Sequence, residues 1–210
     1  MIKTLVVGCL TLIAPLSAEM KVLAFSGSTR ADSYNKKLVR EAADIAKQMG
    51  AKVTVIDLKD YVMPLYDGDL EAKSGMPANA KKLRKLMIGN DAIIISSPNY
   101  NGSISGTLKN VIDWMSRSED GKPSRDAFKG KRFAIMSASP GSTGGARNLA
   151  HLDEIIGRIG GEVMPLQLSV PAAHNAFNAK GVLEDPALKQ ALKDEIAELL
   201  QVQPAEAATS

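Results

Sequence analysis

Residues 91–114 read DAIIISSPNYNGSISGTLKNVIDW. The run of apolar residues at its start has no polar alternation. That is the pattern of a strand covered on both faces, as in a parallel sheet flanked by helices. The strand, placed at 91–97, is left through Pro98, which stiffens the exit. Five polar or flat residues follow, and a helix begins at once, placed at about 104–117. A strand feeding directly into a helix is half of a β-α-β unit.

The same alternation runs through the rest of the chain. Strands are predicted at 21–26, 52–58, 131–139 and 162–169. Helices are predicted at 34–49, 79–89, 145–158 and 186–201. In the first helix Leu38, Ala42, Ile45, Ala46 and Met49 share one face, and Gly50 is placed to cap its end. Pro186 opens the last helix, where its missing N–H costs nothing. Five strands alternating with helices predict an α/β domain, a five-stranded parallel sheet with helices on both faces. In such sheets ligands bind beyond the carboxyl ends of the strands.

Composition narrows the classes. The 210 residues suit one domain, and 45% hydrophobic with 23% charged residues is ordinary for a soluble fold. A net charge of +3 gives no argument for nucleic acid, and the densest basic cluster, KKLRK at 81–85, reads as a solvated helix face. One cysteine, Cys9, and two distant histidines, His151 and His174, leave no disulfide framework and no metal site to expect. Residues 1–18 have Lys3, an apolar stretch from 4 to 14 and Ala18, the anatomy of a signal peptide. The stretch is too short for a spanning helix, so no stable membrane insertion is expected. Two readings of it stand. An exported protein would start at 1, and a cytoplasmic one at Met20, directly before the first strand. The domain is placed at 20–201, with a disordered tail at 202–210.

Three loops after strands one, three and four concentrate Gly, Ser and Asn. The first is SGSTRADSYN, 26–35. Ser26, Ser28, Thr29 and Ser33 offer hydroxyls, Asn35 an amide and Arg30 a charge, all before a helix N-terminus. That set suits a phosphate, although Ser33 alone also suits an ordinary helix cap. The chain has neither a P-loop nor a dinucleotide G-x-G-x-x-G here, which points to a mononucleotide. In the second loop, Pro98, Asn99, Tyr100, Asn101, Gly102 and Ser103 combine hydrogen-bonding side chains, a flat aromatic and close backbone. They match the polar edge and apolar ring of a flavin. The third loop, SASPGSTGGAR at 137–147, offers Ser139 with Gly141, Gly144 and Gly145, whose small size lets backbone pass beside a ligand.

Taken together, SGSTRADSYN, SPNYNGSISGTLKNVIDWMSR and SASPGSTGGARNLAHL resemble the NADPH-dependent FMN reductase family, over about Met20 to Gln201. The resemblance implies a flavodoxin-like sheet of order 2-1-3-4-5. FMN would be the bound cofactor, its phosphate on the first loop and its ring against the second, with the 139–145 loop nearby. NAD(P)H, with NADPH preferred, would be co-substrate. A hydride would pass to the flavin and electrons then to a quinone, flavin, azo or chromate-type acceptor by a ping-pong mechanism. No side chain is singled out as catalytic, since the flavin carries the chemistry. The resemblance also implies a homodimer or homotetramer, with the helix carrying Asn110, Asp113 and Trp114 near the interface. The family often has Glu where this chain has Asn99. Trp114 on its own suits packing or an interface, His151 local hydrogen bonding, and His174 a loop after the fifth strand. Two other classes remain at this point, a non-enzymatic FMN electron carrier and an exported binding protein with the same fold.

Overall fold

The computed structural model describes residues 19–201. The expected leader at 1–18 and the expected tail at 202–210 lie outside them. The elements are β1 (Lys21–Ser26), α1 (Tyr34–Gln48), β2 (Lys52–Ile56), α2 (Gly68–Ser74), α3 (Ala78–Ile88), β3 (Ala92–Ser96), α4 (Gly106–Met115), β4 (Arg132–Ala138), α5 (Ala146–Arg158), β5 (Glu162–Val163), β6 (Ser169–Val170), α6 (Ala173–Ala176) and α7 (Pro186–Gln201). The strands are parallel in the order β2-β1-β3-β4-β5, and β6 pairs β4 further along. The flavodoxin-like order is thus the one expected.

Strand periodicity builds two cores. Along β1, Val22 and Ala24 face α1 and α7, while Leu23 and Phe25 face the layer of α3, α4 and α5. The first face is lined by small residues such as Ala24, Ala42, Ala46 and Ala134, so α1 lies close on the sheet. The second is filled by bulk: Phe133, Ile93, Ile95, Leu83, Met87 and Trp114. Burying a large apolar side chain contributes about 1.5–3 kcal/mol. This double layer holds the sheet between its two helix layers.

The fifth strand departs from expectation. A continuous strand at 162–169 is predicted, but the chain pairs with β4 only at Glu162–Val163 and again at Ser169–Val170. Pro165 has no N–H to give to the ladder, and the segment bows out. The N–H groups it frees go to α7. Leu166 N–H donates to Glu198 Oε2 at 3.0 Å, and Leu168 N–H to Glu195 Oε2 at 3.0 Å. Two carboxylates one helical turn apart thus do the work of a sheet neighbour.

Two short helices also lie where loop is predicted. α2 starts because Asp67 accepts N–H groups from Asp69 and Leu70. α6 follows Ala172, whose φ of 45° is left-handed. The polar stretch 118–130 hides a buried Ala127–Phe128 pair that closes the second core.

Candidate functional site

In β-sheet register Ser26 lies beside Ser96, and Ser96 beside Met136. The three polar loops therefore leave the sheet at one level. Buried side chains then lace them together. Asn35 Nδ2 donates to Ala138 O at 2.8 Å, and its Oδ1 accepts from Ala138 N and from Ser96 Oγ, each at 2.9 Å. Ser105 Oγ donates to Gly27 O at 2.7 Å and accepts from Leu108 N at 3.1 Å, capping α4. Gly27 packs against Leu108 and Pro98, where a β-carbon would come within 3.0 Å of Leu108 Cδ2.

The first loop leaves hydrogen-bond donors and a helix start of the kind that suits an anion. Ser26 Oγ accepts the N–H of Ser28, and Ser28 Oγ accepts the N–H of Arg30. Each oxygen is used as an acceptor within the loop, which leaves each hydroxyl hydrogen available for donation. Ser33 holds the N-cap position of α1 yet makes no side-chain cap bond, and no acidic residue stands in the helix's first turn. The helix start is thus free to meet negative charge. Thr29 and Arg30 are exposed on the loop. The one carboxylate there, Asp32, is paired with Lys37 at 2.8 Å, and that hydrogen-bonded ammonium holds it below the usual carboxylate range. Asn35 has a different task from the one expected of it. Its amide is engaged with β3 and β4, so it ties the loop rather than facing outward.

Behind Ser26, Lys36 pairs with Asp57 at 2.6 Å. Burial pushes the Asp57 carboxyl up, but the Lys36 ammonium and the Lys59 N–H outweigh it and hold it low. These residues, with Val39 and Arg40, line a cavity of 190 Å³. That is smaller than the roughly 300 Å³ at which ligand pockets begin, too small for a ring system.

The second loop is a two-residue hairpin. Tyr100 and Ser103 exchange backbone hydrogen bonds of 2.9 and 3.0 Å. Asn101 and Gly102 have φ of 54° and 80°. This is the Asn-Gly turn with two left-handed central residues. Pro98 is buried at its base, and Tyr100 is 48% exposed at its edge. The Ser103 N–H, expected to meet a ring, is spent within the hairpin. Asn99 Oδ1 is a buried acceptor with no hydrogen-bond partner among the described residues. An unmatched buried acceptor costs about 1–3 kcal/mol, and a ring N–H or amide would satisfy it.

In the third loop Ser139 O accepts from Ala173 N, and Ser139 Oγ accepts from Gly141 N. Gly141 is exposed, but Gly144 and Gly145 are buried against the sheet. A β-carbon on Gly144 would stand 2.7 Å from the Val170 backbone, and one on Gly145 2.2 Å from Ser137 Oγ. Both have positive φ. Their small size serves the approach of α5 to β4 and β6, beneath the site.

Sequence reasoning missed the hub of this region. Asn148 is fully buried. Its Nδ2 donates to Ser97 O and Ser137 Oγ at 3.1 Å and to Gly145 O at 3.3 Å, and Ser97 Oγ donates to its Oδ1 at 2.5 Å. Its only signal was its place in GGARN. Trp114 is packing: it is buried within the chain, donates Nε1–H to Pro64 O at 2.9 Å and meets Tyr66 edge-on. Asn110 holds the same 64–66 loop. Arg117 is locked onto Glu71 at 2.7 Å. Among the described residues no group of His, Cys, Asp and Glu is placed to hold a metal, and no helix is long and apolar enough to cross a membrane.

Comparison with known proteins places this geometry. The family model for NADPH-dependent FMN reductase matches residues 20–175. The chain is 34% identical over 187 residues to the NAD(P)H-dependent FMN reductase PA1204 of Pseudomonas aeruginosa, covering 88% of this chain and 95% of that one. It is 34% identical over 144 residues to a quinone reductase of Escherichia coli, covering 67% and 71%. Among solved structures it is similar to the flavoenzyme NAD(P)H:(acceptor) oxidoreductase FerB of Paracoccus denitrificans. There the TM-score is 0.71 at 27% identity, over 86% of this chain and 97% of that one.

Proposed function

The chain belongs to the NADPH-dependent FMN reductase family, and from that premise we propose that it is an FMN-dependent NAD(P)H oxidoreductase whose acceptor is a small molecule of the quinone, flavin, azo or oxyanion type. The observation that carries this is one rim with two unmet demands. The start of α1 offers unspent hydroxyl donors and an unopposed helix end. At the end of the adjacent strand β3, the hairpin holds the Asn99 oxygen, unpartnered among the described residues. A phosphate answers the first and the N–H edge of a flavin the second.

Ser26, Ser28, Thr29, Arg30 and Ser33 would hold the phosphate, with Asn35 setting the loop. Asn99 through Ser103 would hold the ring edge above Pro98, and Ser139 and Gly141 would border it, with Gly144 and Gly145 supporting α5 from below. When bound, FMN supplies two-electron chemistry between a reduced nicotinamide and an acceptor. The protein's residues do the rest. The Tyr100 edge, half exposed, leaves one face of the site open to solvent, and donor and acceptor use it in turn, which gives ping-pong kinetics. The start of α5 adds the positive end of a helix beside the same rim. Arg30 makes no ion pair among the described residues, and Asp32 is neutralised by Lys37. The rim is therefore positive, which favours NADPH and anionic acceptors.

Self-association fits the loop between β2 and α2. Val62 and Leu65 are 73% and 77% exposed there, on a segment fastened to α4 by Asn110 and Trp114. A homodimer or homotetramer would bury them.

The test is spectral. Protein expressed from Met20 and purified gently is expected to be yellow, and NADPH added without oxygen is expected to bleach it. Rapid NADPH oxidation with quinone separates an enzyme from an electron carrier. A colourless protein that FMN does not reconstitute would overturn the proposal.

A further inference from the structure

The hairpin that presents Tyr100 stands on little of its own. Beyond its two backbone bonds, an isolated hairpin is at best marginally stable in water. Asn101 at its tip is exposed and Gly102 is half-buried. What holds the tip comes from α5. Arg147 and His151 lie four residues apart, hence on one helix face. His151 Nδ1 stands 3.1 Å from Ser103 Oγ. The methylene stem of Arg147 lies over Gly102, where a β-carbon would come 3.1 Å from Arg147 Cδ. On the opposite, buried side, Asn148 bolts the same turn of α5 to Ser97 and Ser137. The helix is thus fixed to the sheet by Asn148 and by the buried Leu149, Leu152 and Ile156, while Arg147 and His151 on its outer side reach over the hairpin.

We propose that Arg147 and His151 are positioning residues, a two-point clamp by which α5 sets the angle of the Tyr100–Ser103 hairpin. His151 holds it by hydrogen bond and Arg147 by the packing of its stem. The clamp's effect on turnover rests on the function proposed above; its existence does not. With the hairpin clamped, Tyr100 and Asn99 present a fixed surface to the second substrate. With it released, that substrate docks less well while the chemistry after docking is unchanged.

The test uses His151→Ala, His151→Asn, Arg147→Ala and Arg147→Met. Asparagine places a hydrogen-bonding atom where the imidazole Nδ1 stands, and methionine keeps a stem without the charge. Glu154→Ala, exposed further along α5, is the control. Amide hydrogen exchange is measured first, on protein stripped of flavin. In His151→Ala and Arg147→Ala, residues 98–104 are expected to exchange about five-fold faster, as loss of one ordinary hydrogen bond or its packing equivalent dictates. Residues 132–138 stay protected, and His151→Asn and Arg147→Met return towards wild type. Steady-state kinetics with NADPH and a quinone then read the consequence. KM for quinone rises about five-fold in the alanine variants with kcat within two-fold. Unchanged exchange at 98–104 in both alanine variants overturns the clamp, even in a protein that turns over as a flavin reductase. Faster exchange in a protein that binds no flavin keeps the clamp and removes the flavin function. An equal fall of kcat in all four variants, without rescue, also overturns it, because positioning by these two contacts must be restored by the conservative changes.

Discussion

Replacing Glu195 by glutamine should make the protein more stable at neutral and alkaline pH. Glu195 is 1% exposed, on the inner face of α7. Its Oε2 takes the N–H of Leu168 across the break in the edge strand, and its Oε1 has no partner among the described residues. Burial pushes the carboxyl up from 4.5 to about 8; the Leu168 N–H pulls against this, and the Glu198 charge one turn on adds to it. The folded protein thus keeps a proton that the unfolded chain has released. Stability from this group is complete below about pH 4.5 and is lost as pH rises through about 8. The span of about 3.5 in pH, at about 1.4 kcal/mol for each, sets a ceiling of about 5 kcal/mol. Relaxation of a real interior makes about 2–5 kcal/mol the expected loss. Glutamine still offers an oxygen to Leu168 and does not titrate. Any cost of burying its amide is a constant offset that leaves the slope untouched. The assay is the urea midpoint of wild type and Glu195→Gln from pH 5 to 9. The difference between them should grow in the variant's favour by the stated amount between pH 5 and 8, then level off. Glu41, whose carboxyl burial also pushes up, is common to both proteins and cancels. Parallel curves would refute the reasoning and show that Glu195 is solvated or ion-paired.

Four further outcomes follow from the same contacts. Gly145→Ala puts a β-carbon 2.2 Å from Ser137 Oγ at a φ of 96°, so it should cost about 2–4 kcal/mol in thermal or chemical unfolding. Asn148→Ala strands Ser97 and Ser137 partners in a fully buried site, for about 2–3 kcal/mol by the same assay. Arg30→Ala should weaken FMN binding about 10-fold or more by removing a charge-assisted contact, while riboflavin, which lacks the phosphate, binds as to wild type in fluorescence titration. Val62→Asp with Leu65→Asp should shift the sedimentation profile to monomer; an unchanged oligomer would move the interface elsewhere.

Much of the fold was legible because parallel strands buried on both faces read as unbroken apolar runs, and 91–97 is such a run. The register of those strands, and hence the convergence of three loops, followed from topology. What escaped was structure made by short elements and distant partners. α2 has seven residues and depends on the Asp67 cap more than on periodicity. The edge strand's interruption was half visible in Pro165. Its consequence was not, because the acceptors that make the break tolerable, Glu195 and Glu198, lie on a helix about 30 residues on.

The site shows why polar residue type alone cannot separate a ligand contact from a structural tie. Ser26, Ser28 and Asn35 look alike in the sequence as donors near a phosphate. A serine oxygen that accepts a backbone N–H still has its own hydrogen to give, so the internal bonds of Ser26 and Ser28 leave their donors unspent. An asparagine accepting twice and donating once inside, as Asn35 does, is largely used up. The converse holds on the hairpin. Asn99 is half-buried, but its amide oxygen is buried and has no partner among the described residues, and burial without a partner is costly, so a donor from a ligand would be favoured there. The residues proposed to bind are those whose hydrogen-bonding capacity remains after the fold has taken its share.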